Sequence, residues 1–334
     1  MTASTDWDPT VMNLLLTAND DEVDLDLVVH NRRMLTPDIV ALELRATDGA
    51  LLPSWAPGAH VEMNLDNGLS RQYSLCGDPA DRQTWTVAVL REPNSRGGSS
   101  YIHEELSTGA KMQCRGPRNN FPIEAATEYK FVAGGIGITP MLPMIGAAEA
   151  SGTPWTLLYG GRSLESMAFQ DELARFGDKV RLHPQDTHGL LDLATELADP
   201  GPGAAVYCCG PEPLLAAIEN HCESTWPVGA LHVERFRADL PDLTDASPIE
   251  VELAQSGMTL TVPSDKSILE VLTEAGVEVD ASCEEGTCGT CEVMVLEGTP
   301  EHHDVVLTES ERESGECMMI CVSRAKSKFL KLDL

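Results

Sequence analysis

Three patterns of hydrophobic and polar positions follow one another along the chain, and the first is a series of short alternating runs. Between Asp24 and Pro122, apolar and polar residues alternate in L-D-L-V-V-H, I-V-A-L-E-L-R and H-V-E-M-N-L. This period of two is typical of strands with one buried face. Turn residues separate the runs, at Thr36-Pro37, Asp48-Gly49, Pro57-Gly58 and Asp66-Asn67-Gly68. The pattern predicts a small antiparallel β-barrel.

The second pattern, after Pro122, alternates strand-like apolar runs with helical segments. The predicted strands are Y-K-F-V-A, W-T-L-L-Y-G-G, K-V-R-L-H-P, A-V-Y-C-C and L-H-V-E-R-F. The predicted helices are M-L-P-M-I-G-A-A-E-A, E-S-M-A-F-Q-D-E-L-A-R-F and a third that follows A-V-Y-C-C. Strands and helices in alternation predict an α/β domain.

The third pattern begins after Arg237 to Pro248, a polar and proline-punctuated stretch that is typical of a linker. I-E-V-E-L and L-T-V predict a hairpin around Gly257, and S-I-L-E-V-L-T-E-A-G predicts a helix capped by Ser267 and Gly276. A strand C-E-V-M-V-L-E-G, a short helix T-E-S-E-R-E and an edge strand F-L-K-L-D-L follow. The predicted parts are a flexible tail at 1–23, a barrel at 24–124, an α/β domain at 125–236, a linker at 237–248 and an α+β domain at 249–334.

Four cysteines of the last part have the spacing of iron–sulfur ligands. Cys283, Cys288 and Cys291 have C-x4-C-x2-C spacing, and Cys321 follows after twenty-nine intervening residues. This is the pattern of a plant-type [2Fe–2S] cluster, in which four thiolates bind two irons. Gly286 and Gly289 lie between the ligands, where a loop that curls round an inorganic core favours residues without a Cβ.

Zinc and plain structural thiols are the alternatives for these cysteines. Zinc sites usually contain separated C-x2-C pairs, and the loop has one such pair only. The other six cysteines are scattered and are expected to be reduced, buried thiols of a reducing compartment. They are Cys76, Cys114, Cys208, Cys209, Cys222 and Cys317.

Charge and hydropathy narrow the classes of partner. The net charge is −30, so the phosphate backbone of a nucleic acid would be repelled. An acidic surface can steer a basic partner, but it fits solubility or a salty cytoplasm equally well. No segment approaches the ~18–20 apolar residues of a membrane span, and residues 1–23 lack a signal-peptide pattern. We therefore expect a cytoplasmic protein that binds neither nucleic acid nor membrane.

Two motifs in the barrel could bind a phosphorylated cofactor. In R-Q-Y-S-L, Arg71 and Tyr73 share one face of a strand and Ser74 lies on the other. S-R-G-G-S-S places a positive charge and free backbone N–H groups before a helical segment, which favours an anion. The candidate anion-binding residues of this second motif are Arg96, Gly97, Gly98 and Ser99. By itself, each motif could be ordinary surface.

A glycine-rich turn joins the first strand of the α/β domain to its first helix. In G-G-I-G-I-T-P, Gly134, Gly135 and Gly137 would let the backbone approach a pyrophosphate. Thr139 is predicted to be the N-cap and Pro140 the first helical residue. A tight turn without a ligand is the alternative.

Together these motifs resemble the phthalate dioxygenase reductase family of the ferredoxin–NADP reductase superfamily. R-x-Y-S resembles the superfamily's flavin motif, and R-G-G-S resembles the phosphate clamp of the FMN-binding branch. C-G-P, at Cys209 to Pro211, resembles the superfamily's nicotinamide motif. The order of the parts matches over nearly the whole chain from about Asp24. The implied fold is multidomain: an antiparallel β-barrel flavin domain, an α/β nucleotide-binding domain and an α+β plant-type ferredoxin domain of the β-grasp type.

The resemblance implies a role for each motif residue. Arg71 would bind the flavin phosphate with Arg96, Gly97, Gly98 and Ser99, while Tyr73 packs on the isoalloxazine and Ser74 bonds near N5. The nicotinamide nucleotide would contact Gly134, Gly135, Gly137, Thr139, Pro140, Arg162, Cys209, Gly210 and Pro211. Cys209 would shape the nicotinamide pocket and Phe236 would lie near the flavin, the alternatives being a core thiol and a core phenylalanine. Cys208 points to the opposite side of its strand and is expected to pack.

The implied cofactors are FMN, a [2Fe–2S] cluster and NADH. Spacing alone does not exclude FAD, and Arg162 with Ser163 could meet the 2′-phosphate of NADPH. The implied protein is the reductase component of a two-component Rieske non-haem iron oxygenase, of the ring dioxygenase or O-demethylase type. NADH would pass a hydride to flavin N5, the flavin single electrons to the cluster, and the cluster single electrons to the oxygenase.

The expected partner is a separate terminal oxygenase that docks near the acidic cluster loop of a monomeric reductase. Glu284 and Glu285 in that loop would guide a basic surface, the alternative being a solvated loop. Two other functions stay open. They are reduction of a haem monooxygenase and a non-catalytic redox sensor.

Overall fold

The computed structural model describes residues 22–93, 95–198, 200–238 and 247–334. The predicted tail therefore lies outside the described residues except at its last two positions, and so do residues 239–246 of the predicted linker. The chain divides into two compact units, residues 1–234 and 235–334.

The first part of the first unit is an antiparallel barrel, as predicted. Its strands are β1 (Val23–Thr36), β2 (Ile39–Ala46), β3 (His60–Asn64), β4 (Ser70–Ser74), β5 (Trp85–Leu90) and β6 (Lys111–Arg118), with helix α1 at Gly98–Glu104. The order is β4-β3-β6-β1-β2-β5. A bridge between Leu75 and Val87 joins the two ends of this sheet. The barrel encloses large apolar side chains such as Trp55 and Trp85.

The second part of the first unit is a parallel sheet with helices, also as predicted. Its strands are β7 (Glu128–Gly134), β8 (Trp155–Gly161), β9 (Val180–Pro184), β10 (Ala204–Cys209) and β11 (Leu231–Glu234). Its helices are α2 (Ile138–Ser151), α3 (Gln170–Ala174), α4 (Gln185–His188), α5 (Leu193–Glu196) and α6 (Glu212–Thr225). The order β11-β10-β7-β8-β9 reverses direction between β7 and β10. Ligands of such sheets bind outside the carboxyl ends of the strands at this point.

The barrel and the parallel sheet share one hydrophobic core. Ile39, Cys76 and Phe121 of the barrel side pack in the same cluster as Phe131 and Tyr159 of the sheet. Apolar packing of this kind resists sliding because it has few voids. The predicted flavin motifs and the predicted nucleotide motifs are therefore fixed relative to each other.

One predicted helix of the parallel-sheet region is wrong over half its length. In place of a continuous helix through E-S-M-A-F-Q-D-E-L-A-R-F, a 3-10 turn spans Leu164–Ser166 and α3 begins only at Gln170. Phe169 between them has φ 62°. Met167 and Ala168 are buried, and the Ala168 amide donates to the Tyr159 hydroxyl at 3.1 Å. Burial of this segment under β8 overrides its helical propensity.

Over its described residues, the second unit is a five-stranded sheet with two helices. The elements are β12 (Ile249–Leu253), β13 (Thr259–Val262), α7 (Ile268–Glu274), β14 (Glu292–Glu301), α8 (Glu309–Ser314), β15 (Cys317–Met319) and β16 (Arg324–Leu332). β12 and β13 form the predicted hairpin. Ser267 caps α7 as predicted, since its hydroxyl accepts from the Glu270 amide at 3.1 Å. The C-cap is Ala275, and the predicted Gly276 is the left-handed residue after it, with φ 77°.

The predicted edge strand at the end of the chain is a central strand. β16 pairs with β12 in parallel and with β14 in antiparallel orientation. Leu330 and Leu332 are fully buried. Alternation in F-L-K-L-D-L indicated a strand, but its place in the sheet depends on pairing with β12, which lies about 80 positions earlier in the chain.

None of the helices in the described ranges combines the length and the apolar composition that crossing a bilayer requires.

Candidate cofactor sites

The structure brings the four predicted iron ligands together. The Cys283 thiol is in hydrogen-bond contact with the thiols of Cys288 and Cys321, and Cys321 also contacts Cys291. All four are buried and reduced. Hydrogen bonds from its neighbours lower the pKa of Cys283 and raise the pKa of Cys321. The four sulfurs thus lie close enough together to bind one shared metal core.

The loop around these sulfurs turns backbone N–H groups toward them. The Glu285 amide donates to Cys283 Sγ at 3.3 Å, and the Thr290 amide donates to Cys288 Sγ at 3.4 Å. Hydrogen bonds to the sulfurs are one determinant of cluster potential. Gly286 has φ 71°, and a Cβ there would lie 2.7 Å from Val322 Cγ2. Glu284 is also left-handed, with φ 53°, which is uncommon outside glycine.

The donor set fits a two-iron cluster. Within the described residues, no group of three or more His, Cys, Asp or Glu side chains is arranged to hold a single metal ion. A [2Fe–2S] cluster makes a different demand, because each of its irons takes two of the four thiolates. Four thiols linked by mutual contacts, three of them in a loop with left-handed glycines, meet that demand.

The two predicted flavin motifs are in contact. A Cβ on Gly98 would lie 2.8 Å from Arg71 Cγ, so the start of α1 lies against β4. Gly97, with φ 95°, precedes the helix as its N-cap. Ser99 Oγ donates to Ser95 Oγ at 3.0 Å, and the side chain of Arg96 is exposed. The two predicted flavin motifs therefore lie side by side, where the start of α1 meets β4.

Tyr73 and Ser74 extend this region along β4. Tyr73 is half-buried against the barrel core, and burial raises the pKa of its hydroxyl. Ser74 is buried and lies opposite His60 on β3. The two side chains leave the strand on opposite faces, as predicted, since successive residues of a strand alternate.

The turns after β7 and β10 are in backbone contact at the carboxyl edge of the parallel sheet. A Cβ on Gly137 would lie 2.2 Å from the Cys209 carbonyl oxygen, and one on Gly134 would lie 2.6 Å from Pro211 Cδ. A Cβ on Gly210 would lie 3.0 Å from Gly134 Cα. These glycines permit the two predicted nucleotide motifs to touch, a function that the sequence analysis had not assigned to them.

Thr139 is not the N-cap of its helix, and Pro140 is not the first helical residue. A 3-10 turn at Gly135–Gly137 precedes α2, which begins at Ile138 with Gly137 as N-cap. Thr139 is the second helical residue, and its Oγ1 donates back to the Ile136 carbonyl at 2.9 Å. The prediction was wrong because the 3-10 turn extends the helix toward its N-terminus and satisfies the backbone groups that a cap would serve.

Glu234 is a residue of this edge that the sequence analysis missed. It lies opposite Cys209 in the β10–β11 pair and hydrogen-bonds to that thiol. Its Oε2 atom is buried with no hydrogen-bond partner in the part of the chain that the structure describes. Burial raises the pKa of this carboxyl to about 8 and that of the Cys209 thiol well above its usual value. An acidic residue at the carboxyl end of a parallel strand is the signal that could have indicated it.

The other predicted positions are placed as follows. Cys208 packs in the cluster on the opposite side of the sheet from Cys209, as predicted. Arg162 is exposed after β8, and its carbonyl accepts from the Asp186 amide at 3.0 Å. Phe236 belongs to the second unit and is 42% exposed, which does not fit an ordinary core phenylalanine. Cys317 is buried, as expected of a packing residue.

Two family models match the chain. The 2Fe-2S iron-sulfur cluster binding domain matches residues 251–326, and the oxidoreductase NAD-binding domain matches residues 131–220. The first range contains the four-thiol site and the second contains both glycine turns. The zinc alternative for the cysteines is thereby set aside.

Known proteins are similar to nearly the whole chain. The phthalate 4,5-dioxygenase oxygenase reductase subunit of Pseudomonas putida is 41% identical over 302 residues, which are 89% of this chain and 92% of that protein. The structure of phthalate dioxygenase reductase, described as modular for electron transfer from pyridine nucleotides to [2Fe–2S], has a TM-score of 0.73 at 38% identity. It covers 93% of this chain and 98% of that one.

A second solved structure contains a region similar to this chain within a longer protein. An intact type IV self-sufficient cytochrome P-450 monooxygenase matches with a TM-score of 0.83 at 45% identity, over 93% of this chain and 41% of that one. This chain thus spans about two fifths of that protein.

A flavin barrel, a nucleotide sheet and a four-thiol ferredoxin sheet define an electron-transferring oxidoreductase. The chain belongs to the phthalate dioxygenase reductase family, as predicted. It is an NAD(P)H-dependent oxidoreductase with FMN, NADH and a [2Fe–2S] cluster as cofactors, and it supplies electrons to an oxygenase. When bound, the flavin supplies the link between two-electron and one-electron chemistry.

Proposed function

We propose that this reductase serves a two-component Rieske non-haem iron oxygenase and delivers single electrons to a separate oxygenase chain. The match to a reductase subunit over 92% of that subunit's own length supports a separate acceptor. The fold and the paired cofactor motifs are those of an electron-supplying component. Ring dioxygenases and O-demethylases are the acceptor types we propose, with the reductase acting as a cytoplasmic monomer.

A haem monooxygenase is the second candidate acceptor. The observation that favours it is the 45% identity and TM-score of 0.83 to a self-sufficient cytochrome P-450 monooxygenase. The same three modules thus occur in a protein with a haem acceptor. The geometry of the reductase modules does not depend on which acceptor is used, so reconstitution has to separate the two.

We propose that three groups of residues bind the three cofactors of the chain. Cys283, Cys288, Cys291 and Cys321 ligate the cluster. Arg71, Arg96, Gly97, Gly98 and Ser99 bind the FMN phosphate, with Tyr73 and Ser74 along the isoalloxazine. Gly134, Gly135, Gly137, Thr139, Pro140, Arg162, Gly210 and Pro211 bind the nicotinamide nucleotide. Cys209 and Glu234 form a wall of its pocket, where both stay protonated near neutral pH because they are buried.

The acceptor is proposed to dock near the cluster loop. Glu284 is exposed and Glu285 half-buried in that loop, within a part of the chain, residues 249–334, that has eighteen acidic and six basic residues. Carboxylates close to the cluster would attract a basic surface of the acceptor and speed the encounter.

Reconstitution with purified acceptors tests the proposal. The full-length reductase and NADH are mixed anaerobically with the oxygenase component of phthalate 4,5-dioxygenase, or with the isolated haem domain of a self-sufficient monooxygenase. Reduction of the Rieske centre at least tenfold faster than reduction of the haem supports the proposal. The reverse ratio establishes the second candidate. The variant Cys288→Ala is the control, because it lacks one ligand and should transfer no electrons to either acceptor.

A further inference from the structure

Asp304 is a fully buried carboxylate outside the proposed ligand, flavin and nucleotide residues. It lies in the loop after β14, and its side chain has no exposed surface. Its Oδ2 accepts from the amides of Val306 at 3.1 Å and Leu307 at 2.9 Å. Its Oδ1 accepts from Ser323 Oγ at 3.4 Å. A buried charge with this many donors is held in one place.

The partners of Asp304 connect the two segments that carry the cluster ligands. Ser323 is fully buried and stands two residues after Cys321. On the other side, a Cβ on Gly286 in the ligand loop would lie 3.1 Å from Asp304 Cα, and the Val305 amide donates to the Gly286 carbonyl at 2.9 Å. The loop that carries three thiols is thereby fixed against the segment that carries the fourth.

Arg312 and His302 each have a nitrogen within 4 Å of this carboxylate, and His303 and Cys317 also interact with it electrostatically. Arg312 on α8 donates from Nη2 to the Asp304 carbonyl at 2.6 Å and lies 3.8 Å from Asp304 Oδ2. His302 Nδ1 lies 3.8 Å from Oδ1. Burial lowers the pKa of His302 below its usual value, so this imidazole is neutral near neutral pH. Arg312 is therefore the cation that offsets the buried charge.

We propose that Asp304 is a positioning residue of the [2Fe–2S] cluster, which fixes the ligand loop relative to Cys321 and whose buried charge makes the cluster harder to reduce. Reduction adds one negative charge, and a carboxylate held nearby in a buried setting opposes it. Net charge and hydrogen bonds to the sulfurs are known determinants of cluster potential. The proposal concerns the cluster alone and holds for either acceptor.

The test of the charge is the midpoint potential of the cluster in the full-length protein, measured by dye-mediated titration followed by EPR. Asp304→Asn keeps the size of the side chain and removes the charge. We expect it to favour reduction about tenfold, which is ~59 mV for a one-electron couple. Arg312→Gln should shift the potential the opposite way. Glu313→Gln, an exposed change on the same helix, is the control and should have no effect because solvent and salt screen it.

The test of positioning is the iron and sulfide content per protein. Asp304→Ala leaves the Val306, Leu307 and Ser323 donors without their acceptor, and it should lose most of the cluster, while Asp304→Asn retains it. If Asp304→Asn also loses the cluster, positioning is supported and Arg312→Gln alone decides the charge. Full cluster content in Asp304→Ala overturns the positioning. An unchanged potential in Arg312→Gln, or an equal shift in Glu313→Gln, overturns the charge effect.

Discussion

A Cβ on Gly137 would lie 2.2 Å from the carbonyl oxygen of Cys209, so the turns after β7 and β10 touch through their backbones. Gly137 has an ordinary helical φ of −62°, which means that space, and not conformation, requires glycine here. The two motifs of the nucleotide site therefore form one packed unit. A change in either turn must move the other.

Gly137→Ala should separate the two turns. An added methyl group in a packed contact costs about 1–3 kcal/mol, and the displaced turns should weaken NADH binding by roughly tenfold or more. Dissociation constants for NADH and melting temperatures measure both effects. Gly201→Ala is the matched control, because its Cβ would lie 3.7 Å from Glu128 Oε2, an ordinary van der Waals distance. Equal NADH affinity in the two variants would contradict the role of this contact.

Glu234→Gln should change how stability depends on pH. The folded protein keeps the Glu234 proton up to about pH 8, whereas an ordinary glutamate loses it near 4.5. Between these values the folded state binds more protons, so rising pH destabilises it, by at most ~1.4 kcal/mol per pH unit. Glutamine carries no such proton, so the variant should gain melting temperature relative to the parent from pH 5 to pH 8.

The control for this pH series is Glu165→Gln, which replaces an exposed glutamate of the same unit. Its difference from the parent protein should stay constant across the series. A constant difference for Glu234→Gln as well would show that this carboxyl ionises normally in the folded protein.

Arg71→Gln should weaken FMN binding. Arg71 contacts the start of α1 at Gly98, and a lost charge-assisted hydrogen bond costs about 1.5–3 kcal/mol. The expected loss is roughly 10- to 100-fold in affinity, measured by fluorescence titration of the flavin-free protein. Arg45→Gln is the comparison, because Arg45 donates to Thr84 Oγ1 at 3.2 Å within the same barrel. If both variants bind FMN equally, Arg71 does not contact the phosphate.

The fold followed from the sequence where local signals were sufficient. Ser267 with Glu270 three residues later makes a capping box, and the structure has it. Cys208 and Cys209 alternate across their strand, so that one packs on each side of the sheet. Both inferences need only the geometry of a single element.

What the sequence could not supply depends on distant partners. Phe169 takes a left-handed conformation because its neighbours are buried under β8, and no turn residue marks the position. Glu234 is notable only beside Cys209, which lies on another strand. In the sequence, Asp304 likewise looks like an ordinary loop residue. Its contacts with Gly286 and Ser323 are evident only in the folded structure.

Removing the charges of the cluster loop should slow electron delivery to the acceptor. Glu284 is left-handed, so Glu284→Asn is the suitable change, because asparagine tolerates this conformation and a β-branched residue does not. Combined with Glu285→Gln, it should lower the association rate roughly tenfold at low salt and flatten its salt dependence. Stopped-flow reduction of the oxygenase at several ionic strengths measures this.

The same variant should reduce its own cluster with NADH at the parent rate, which shows that the internal path is intact. Glu309→Gln combined with Glu313→Gln, two exposed changes on α8, is the matched charge control and should leave the association rate nearly unchanged. Because charges removed at a distance are largely screened, any slowing confined to the loop variant reports local docking. Parent-like rates in the loop variant would mean that the loop is only a solvated acidic surface, and the docking site would have to lie elsewhere.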